Sequence, residues 1–562
     1  MQLIGIAQNP EFWSETVRYG ECYKSYVEER LSDWKKYCED KVICDLKYRN
    51  FKEFFVSGAR GVYEGPYFRR RGMLATSAIL SLIFPEEQKY IDFLQDIIFA
   101  ICDEYTWSVS AHHPVLEVNN KWHIDLFASE TGFALSEIYT MLGERLDPLI
   151  RERIKYEVNE RIIDSFLKNT DFWWEKRCTN NWAAVCGGSV GCTFMLMRPE
   201  LFESVKPRFD AIMEAFLRGF KDDGYCLEGT SYWHYGFGFF LTYADMIKTY
   251  TNGEVNYFER EKVRKIATFI QKMFLSEMCS VSFADGDLSL KYHLGTLHYL
   301  KKLYPDDVKV FSPEFSYQRD GCFRFCLLVS SASWLDEDIY KNPEENEALA
   351  EYYAEDSQWF IKRAAGYGFA AKAGYNNEHH NHNDVGTFIF AKDGKQLIAD
   401  IGRGVYCKQY FRTETRYGMI ECSSLGHNVP HFGENGAQSF GTKFAARDVS
   451  YEDGSFSMDI ADCYDNECVK SVKRTFTAAA DSVKLKDVFV YDGDGKIYER
   501  FASFEEPVID EKTVKLGSCE ISYDSSSCNA SFTSVVTSKN LTVYLIDFEL
   551  KDGVYEFEAT IK

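Results

Sequence analysis

Up to about residue 330, apolar positions along the chain recur at mostly three- and four-residue steps. Leu146, Leu149, Ile150, Ile154, Val158, Ile162 and Phe166 share one face, with charged residues between them. Pro148 stands near the start of this run, where proline is tolerated. The pattern recurs over 126–142, 207–220 and 259–276. Helices without intervening strands must bury their apolar faces on one another, as a bundle or as a ring of helical hairpins. From about 357 the period becomes two. Runs at 471–477 and 541–546 read as strands, and Gly-containing turns recur at Asp393-Gly394, Asp453-Gly454, Asp492-Gly493 and Asp552-Gly553. This is the signature of an antiparallel β-sandwich. A polar, acidic stretch containing Asn342-Pro343-Glu344-Glu345-Asn346-Glu347 lies between and reads as a linker or a covering helix. The expected division is a helical domain over 1–335, a linker over 336–356 and a sandwich over 357–562.

Composition narrows the function classes. At 562 residues the chain exceeds what one ordinary core sustains. A net charge of -22 argues against nucleic acid, which needs a basic surface, but a locally positive cleft still admits an anionic small ligand. No apolar run reaches the ~18 residues of a membrane span. The first residues lack the basic and apolar regions of a secretory signal, so a cytoplasmic protein is expected. The 17 cysteines are odd in number and scattered, with no Cys-x-x-Cys, as suits reduced thiols. Tyr and Phe, at 36 and 44, exceed the usual needs of a core and offer rings on which sugars stack, although packing is the default for any one of them.

The densest chemistry is Glu378-His379-His380-Asn381-His382-Asn383-Asp384. A strand-like run at 385–390, a turn at Asp393-Gly394 and a return run ending at Asp400 follow it, and His427-Asn428 lies downstream. A hairpin with histidines at one end, a carboxylate at the other and a further histidine nearby can hold a divalent metal. Imidazole and carboxylate suit zinc without any cysteine. The same residues also make a plain polar loop. Thr179-Asn180-Asn181-Trp182 is either a helix N-cap or a set of amide donors facing a ligand oxygen. The segment 222–238 crowds acids, aromatics, glycines and a histidine, as a packed helix start or as a tyrosine hydroxyl presented to a cleft. Trp107, His112 and His113, with Trp122-His123-Ile124-Asp125 beyond, suit either sugar stacking or packing.

In this order the Asn-Asn-Trp knot, the Glu-Gly-x-x-Tyr-Trp-x-Tyr-Gly segment, the His-Asn-His-Asn-Asp-Val-Gly hairpin ending in Asp-x-Gly, and the later His-Asn resemble the heparinase II/III-like polysaccharide lyases. The motifs span roughly residues 100–430. The resemblance implies an α+β multidomain chain, with an incomplete (α/α) toroid followed by an antiparallel β-sandwich and the active site between them. It implies a carbon–oxygen lyase that cleaves uronic-acid-containing glycans by β-elimination and leaves an unsaturated uronate. Glycosaminoglycans are expected first and alginate-type oligouronates second. An unsaturated glucuronyl hydrolase is an alternative. A conventional glycosidase would need a carboxylate pair, for which Asp222, Asp223, Glu228, Asp285 and Asp287 are available. A non-catalytic glycan-binding module is a further reading.

Elimination requires that the uronate carboxylate be neutralised, that a base take the C5 proton and that an acid protonate the departing O4. By the resemblance, Asn181 matches the carboxylate-neutralising position, with Asn180 beside it. Tyr235 matches the catalytic tyrosine, and is preferred to Tyr232 because it directly precedes Gly236. As a base it would need nearby positive charge or donors to lower its pKa. His380 matches the active-site histidine, as base or carboxylate partner. His382, Asp400 and His427 match the ligands of a structural divalent metal, zinc first, with manganese or calcium behind. Asn180, Trp107, His112, Trp182, Glu228, His234 and Tyr410 are the substrate-binding candidates. One of Tyr410, Arg412 and Tyr417 is expected to reach the leaving oxygen. Some relatives carry a glutamate three residues after the asparagine; Ala184 stands there and departs from that subgroup. The expected partner is an anionic oligo- or polysaccharide, neither nucleic acid nor membrane, and a homo-oligomer is left open.

Overall fold

The structure, a computed structural model, describes residues 2–276, 279–286, 288, 293–310, 320–344, 349–433 and 436–562. The run 146–166 forms Pro148–Val158, a π-helical turn at Asn159–Ile163 and Asp164–Lys168. Asp147 caps it by accepting the Leu149 N–H at 2.8 Å. Ile150, Ile154, Val158, Ile162 and Phe166 are buried, whereas Leu149 sits in the first turn and is exposed. Leu126–Leu142 is helical over the full expected span, and 207–220 falls largely within Pro199–Arg218. The span 259–276 departs from expectation. Glu261–Ala267 and Phe269–Lys272 are helical, but Phe274–Ser276 is a strand paired antiparallel with Cys279–Ser280. Arg363 donates to the carbonyls of Gln271 and Phe274 at 3.3 and 2.9 Å, which helps satisfy the backbone where the helix stops.

The chain forms two compact units, neither continuous in sequence. The helical unit comprises Met1–Gly219, His234–Arg264 and Lys291–Glu344. Its centre is Asn181–Met197, buried along nearly its whole length, as a helix apolar on all sides must be. Leu126–Leu142, Pro199–Arg218 and Gly238–Tyr250 pack on it. The close approach of the last of these depends on glycine, since a Cβ at Gly191 would lie 2.7 Å from the Tyr243 ring.

The β unit comprises Phe220–Trp233, Lys265–Leu290 and Glu345–Lys562. Its larger sheets, antiparallel throughout, have eight, four and five strands. In the eight-stranded sheet, Val469–Ala478 and Val483–Tyr491 alternate buried and exposed positions, the period-two pattern of a sheet with one wet face. Tyr367–Lys372 of the five-stranded sheet is buried at every position. Its neighbour Trp359–Ala364 is covered by the segments taken from the helical half: Tyr225 and Phe283 set their rings edge-on to Trp359 at 5.9 and 5.2 Å. This is why 220–233 and 265–290 belong to the β unit and not to a continuous domain over 1–335. The expected linker, 336–356, contains the helix Glu337–Lys341 and the strand Ala350–Ala354; within it 345–348 lie outside the described residues.

The expected hairpin is Phe388–Lys392 and Lys395–Ile398. Asp393 and Gly394 both take positive φ, 52° and 76°, as the tight turn matching strand twist requires. The strand begins three residues later than the pattern suggested, so Val385-Gly386-Thr387 remains in the histidine loop. In the sandwich interior Arg474, fully buried, pairs with Asp487 and Glu499 at 2.7 and 2.5 Å. It also donates to the carbonyls of Gly386 and Asn428, both at 2.8 Å, and so ties the histidine loop to the sheet. Among the described residues no helix is long and apolar enough to cross a membrane.

Candidate active site

In the helical unit, Asn180 is extended and its side-chain oxygen accepts the Trp182 N–H at 3.1 Å, capping Asn181–Met197. The Cys178 thiol donates to the same oxygen at 2.8 Å. Asn181 thus opens the helix, and it is 1% exposed. Against it lies the turn that carries Tyr235. This segment is helical as Thr230–Tyr232, π-helical over Trp233–Phe237 and α-helical again over Gly238–Tyr250. A π-helical turn of this kind often marks a functional site. Gly236 is pressed onto the asparagine: a Cβ there would lie 3.1 Å from both Asn181 Cβ and the Phe216 ring.

The Tyr235 hydroxyl donates to Glu130 Oε1. The Arg324 guanidinium lies over the same ring at 3.6 Å, with its Nε 3.4 Å from Glu130 Oε1 and its Nη1 2.9 Å from Asp320 Oδ2. Burial and the Glu130 carboxylate push the Tyr235 phenol well above its ordinary value, outweighing Arg324. Burial likewise raises Glu130 to about 7, against the opposing pull of Arg324 and the tyrosine hydroxyl. Tyr235 is therefore a neutral donor bonded to a carboxyl group that titrates near neutrality.

Aromatic rings continue from the asparagine helix. Trp182 meets Trp173 and His112, each at 4.8 Å between ring centres. Trp173 is 39% exposed. His112 Nδ1 bonds Asp125 Oδ2 at 2.7 Å, while Asp125 Oδ1 caps Leu126–Leu142 through the Ala128 N–H. Burial opposes the Asp125 charge, but His112 and the capping N–H hold the carboxyl below its usual range.

In the β unit the hub is Asp285, fully buried. Its Oδ2 accepts from His380 Nδ1 at 2.7 Å and from the Tyr406 hydroxyl at 2.8 Å. Its Oδ1 accepts from the Tyr410 hydroxyl at 2.5 Å, with His382 Nε2 at 3.2 Å and Arg416 Nη2 at 3.3 Å. The Tyr232 ring stacks on His380 at 4.0 Å, and Glu228 Oε2 lies 3.5 Å from His380 Nε2.

Beside this hub, His382, Asp384 and His427 bring one ligand atom each within 4.8 Å of one another. Asp400 Oδ2 lies 3.5 Å from His427 Nδ1. His382 Nδ1, His427 Nδ1 and Asp400 Oδ2 are buried without a hydrogen bond, which is costly unless something else satisfies them. Two imidazoles and the Asp384 carboxylate form a buried group, with Asp400 beside His427, whose donors fit a divalent metal of the zinc type. Lys372 Nζ, 2.7 Å from Asp384 Oδ1, offsets part of the acidic charge.

No family model matches the chain, and no curated protein matches it in sequence. Solved structures do match. A heparan sulfate lyase HepC mutant from Pedobacter heparinus superposes with a TM-score of 0.62 at 12% identity, over 97% of this chain and 90% of that one. A heparinase III superposes with 0.56 at 13% identity, over 90% and 77%. The chondroitin AC lyase of Streptomyces coelicolor A3, in complex with chondroitin sulphate, gives 0.57 at 8% identity, over 99% and 82%. The chain has the heparinase-like polysaccharide lyase fold. Its helical N-terminal region and C-terminal antiparallel sheets match the toroid and β-sandwich of that fold.

On this lyase fold the anticipated residues fall into place unevenly. Asn181 and Tyr235 come together in one unit; His380, Glu228 and the group around His382, Asp400 and His427 come together in the other. Several substrate-binding assignments are corrected. Trp107 is 1% exposed and its indole N–H donates to the Ile101 carbonyl at 2.9 Å, so it has no face to offer a sugar. His234 is buried, and burial together with nearby His293 holds its ring well below the usual value, hence neutral. Tyr410 is fully buried with its hydroxyl on Asp285, which removes it as a contact to a leaving oxygen. Asn180 uses its side-chain oxygen at the helix cap, which does not bear on the amide N–H groups expected to face a ligand. Tyr417 donates to Asn381 Oδ1 at 2.9 Å. Asp287 lies outside the described residues. Sequence reasoning missed Glu130, Arg324 and Tyr406, gave Asp285 no role beyond an available acid, and passed over Asp384 as a ligand. Only Asp384, two residues after His382, stood in a motif that could have flagged it.

Proposed function

We propose that the chain is a lyase of uronate-containing glycans that works by β-elimination, with glycosaminoglycans as the leading substrate class. The observation that carries this reading is the packing of Gly236 on Asn181, which sets the tyrosine turn directly against the asparagine. The Asn181 amide is a donor that never ionises, suited to bind the uronate carboxylate and make C5 a stronger acid. Because the Tyr235 phenol is neutral, it acts as the acid that protonates the departing O4, with Arg324 to favour the phenolate that results. Glu130 holds the hydroxyl and is the group from which the phenolate regains a proton. Of the two roles the resemblance leaves to His380, base or carboxylate partner, this reading gives it that of the C5 base. Trp173 and Trp182 offer ring faces to a sugar chain.

Structures of the same fold include a heparan sulfate lyase and a chondroitin AC lyase, which supports an anionic glycan as substrate. His382, Asp384, Asp400 and His427 take one divalent metal, zinc by its donors. When bound, such an ion neutralises the buried carboxylates and stiffens the loop that carries His380.

The test is an ultraviolet absorbance time course on chondroitin sulfates, dermatan sulfate, hyaluronan, heparan sulfate, heparin and alginate, each as polymer and oligosaccharide. The expected result is a rise from the conjugated unsaturated uronate, largest on a glycosaminoglycan. Release of reducing ends with no such rise would make the chain a hydrolase and overturn the elimination reading.

A further inference from the structure

We propose that Cys528–Val536 is a docking edge for a second copy of this chain, the two strands pairing antiparallel about a two-fold axis at Phe532. The strand is the outer member of its four-stranded sheet, and it pairs with Thr542–Leu550 through nine consecutive residues without a bulge. Alternate residues of such a strand turn their N–H and C=O away from the one neighbour. Among the described residues no other strand meets them. An open, straight edge is a template for a further strand, and natural chains blunt such edges by making them short or charged. The other outer strands of the three larger sheets follow that rule. Val508–Ile509 and His431–Phe432 have two residues each. Arg447–Glu452, Ala350–Ala354 and Lys395–Ile398 all carry charge. Cys528–Val536 has nine residues and no charge.

Charge selects the occupant. Two chains of net charge -22 repel through most of their surface, so they approach at least cost where charge is lacking. The uncharged run extends over 525–538 and is bounded by Asp524 and Lys539. Centring the pair on Phe532 sets residue 525 of one strand opposite residue 539 of the other, so each acidic end meets the other's basic end. An antiparallel pair of identical strands is two-fold symmetric and self-complementary, and it uses up both open edges. At the axis the two Phe532 rings face each other as an aromatic cross-strand pair. The strand is ready to receive its copy. Residues 531–534 are exposed on both of its faces, and Phe532 is 41% exposed, so nothing has to move aside. Its end is held as well: Thr537 N–H donates to the Leu541 carbonyl at 2.9 Å, Ser538 N–H to Glu421 Oε1 at 2.6 Å, and Ser538 Oγ accepts the Val405 N–H at 2.8 Å. An edge already fixed in its paired conformation loses little freedom on docking. The pairing does not depend on what the active site turns over.

The experiment is analytical ultracentrifugation of the full chain over a dilution series, with Phe532→Lys, Phe532→Glu and an equal mixture of the two. The wild type is expected to pass from the mass of one chain to that of two as concentration rises. Each variant alone sets like charges across the axis and is expected to raise the midpoint concentration about tenfold or more. The mixture places Lys opposite Glu and is expected to recover the two-chain mass near the wild-type midpoint. A wild type that keeps the mass of one chain up to about 100 µM, a hundredfold above a micromolar dissociation constant, overturns the proposal. So does a dimer that both variants leave unchanged, and so does a mixture that associates no better than its parts. Should either variant fail to fold, the same mixing test is run with Thr533→Lys and Ser531→Glu, which this register sets opposite each other, and the same outcomes decide.

Discussion

Tyr235 donates its hydroxyl hydrogen to Glu130, and Arg324 covers the same ring. The pair joins residues 105 positions apart, on a π-helical turn and on the helix Leu126–Leu142. Because burial and Glu130 both act against the phenolate, the tyrosine rests as an acid. Tyr235→Phe keeps the ring under Arg324 and removes only the hydroxyl. Elimination is expected to slow by about 10²–10⁴-fold with thermal stability little changed. Turnover at the wild-type rate in this variant would remove Tyr235 from the chemistry.

Glu130 gives the pH dependence a sign. Its carboxyl is raised from 4.5 to about 7 in the folded chain, mainly by burial. Between these values the unfolded chain loses the proton and the folded one keeps it, so this group's contribution to stability is full below 4.5 and lost as pH rises through about 7. Glu130→Gln, which stays neutral, is expected to flatten that part of the stability profile and to remove an ionisation near 7 from the pH–rate curve. Denaturant melts and kinetics across pH check both; superimposable curves for the two proteins would contradict it.

Gly236→Ala tests the contact between the tyrosine turn and Asn181. The added methyl meets Asn181 and Phe216 at 3.1 Å, and overpacking of this kind costs about 1–3 kcal/mol. Activity is expected to fall further than this stability loss accounts for, because the turn that aims Tyr235 must shift. Kinetics measured well below the melting temperature separate the two effects, and full activity in a destabilised variant would count against the geometry.

Metal binding has a readout independent of activity. Elemental analysis is expected to find about one zinc per chain, in keeping with a single group of His382, Asp384 and His427 with Asp400 beside it. A chelator should lower the melting temperature, and zinc should restore it. Asp384→Asn and Asp400→Asn are each expected to weaken the metal. A chain free of metal whose melting does not respond to added zinc would refute the site.

In the sandwich, Arg474→Ala would leave Asp487 and Glu499 buried without their counter-charge. Losing one side of a buried pair costs about 3–5 kcal/mol. Urea unfolding is expected to register that loss. The variant should also loosen the loop held through the Gly386 carbonyl, which proton exchange at the histidine segment would reveal.

How far these features could be read in the sequence depended on how local they are. Helical periodicity placed Leu126–Leu142 because 3.6-residue spacing is written into neighbouring positions, and Asp393-Gly394 marked its hairpin because left-handed backbone selects such residues. Periodicity failed at Phe274–Ser276, where pairing with Cys279–Ser280 overrode a helical pattern. Asn181, Tyr235 and His380 stood out in the sequence only as parts of a motif series. Glu130 and Asp285 were not legible as partners: in an acidic chain a lone carboxylate carries no mark, and the bonds that single them out span 105 and 95 residues. Trp107 and Tyr410 erred in the opposite direction, since a ring's type does not reveal whether it lines a surface or fills a core.

The interleaved make-up of the β unit bears on how the chain is born. Phe220–Trp233 and Lys265–Leu290 leave the ribosome before any strand of the sandwich, yet they pack with it. Asp285 precedes His380 by 95 residues, roughly 5–20 s of synthesis at ~5–20 residues per second. For that interval its carboxylate has none of its later donors and must stay hydrated, so the inner layer of the unit assembles only after the C-terminal half emerges. A cut at the apparent junction near residue 345 would separate acceptor from donors and leave neither fragment with a complete histidine site.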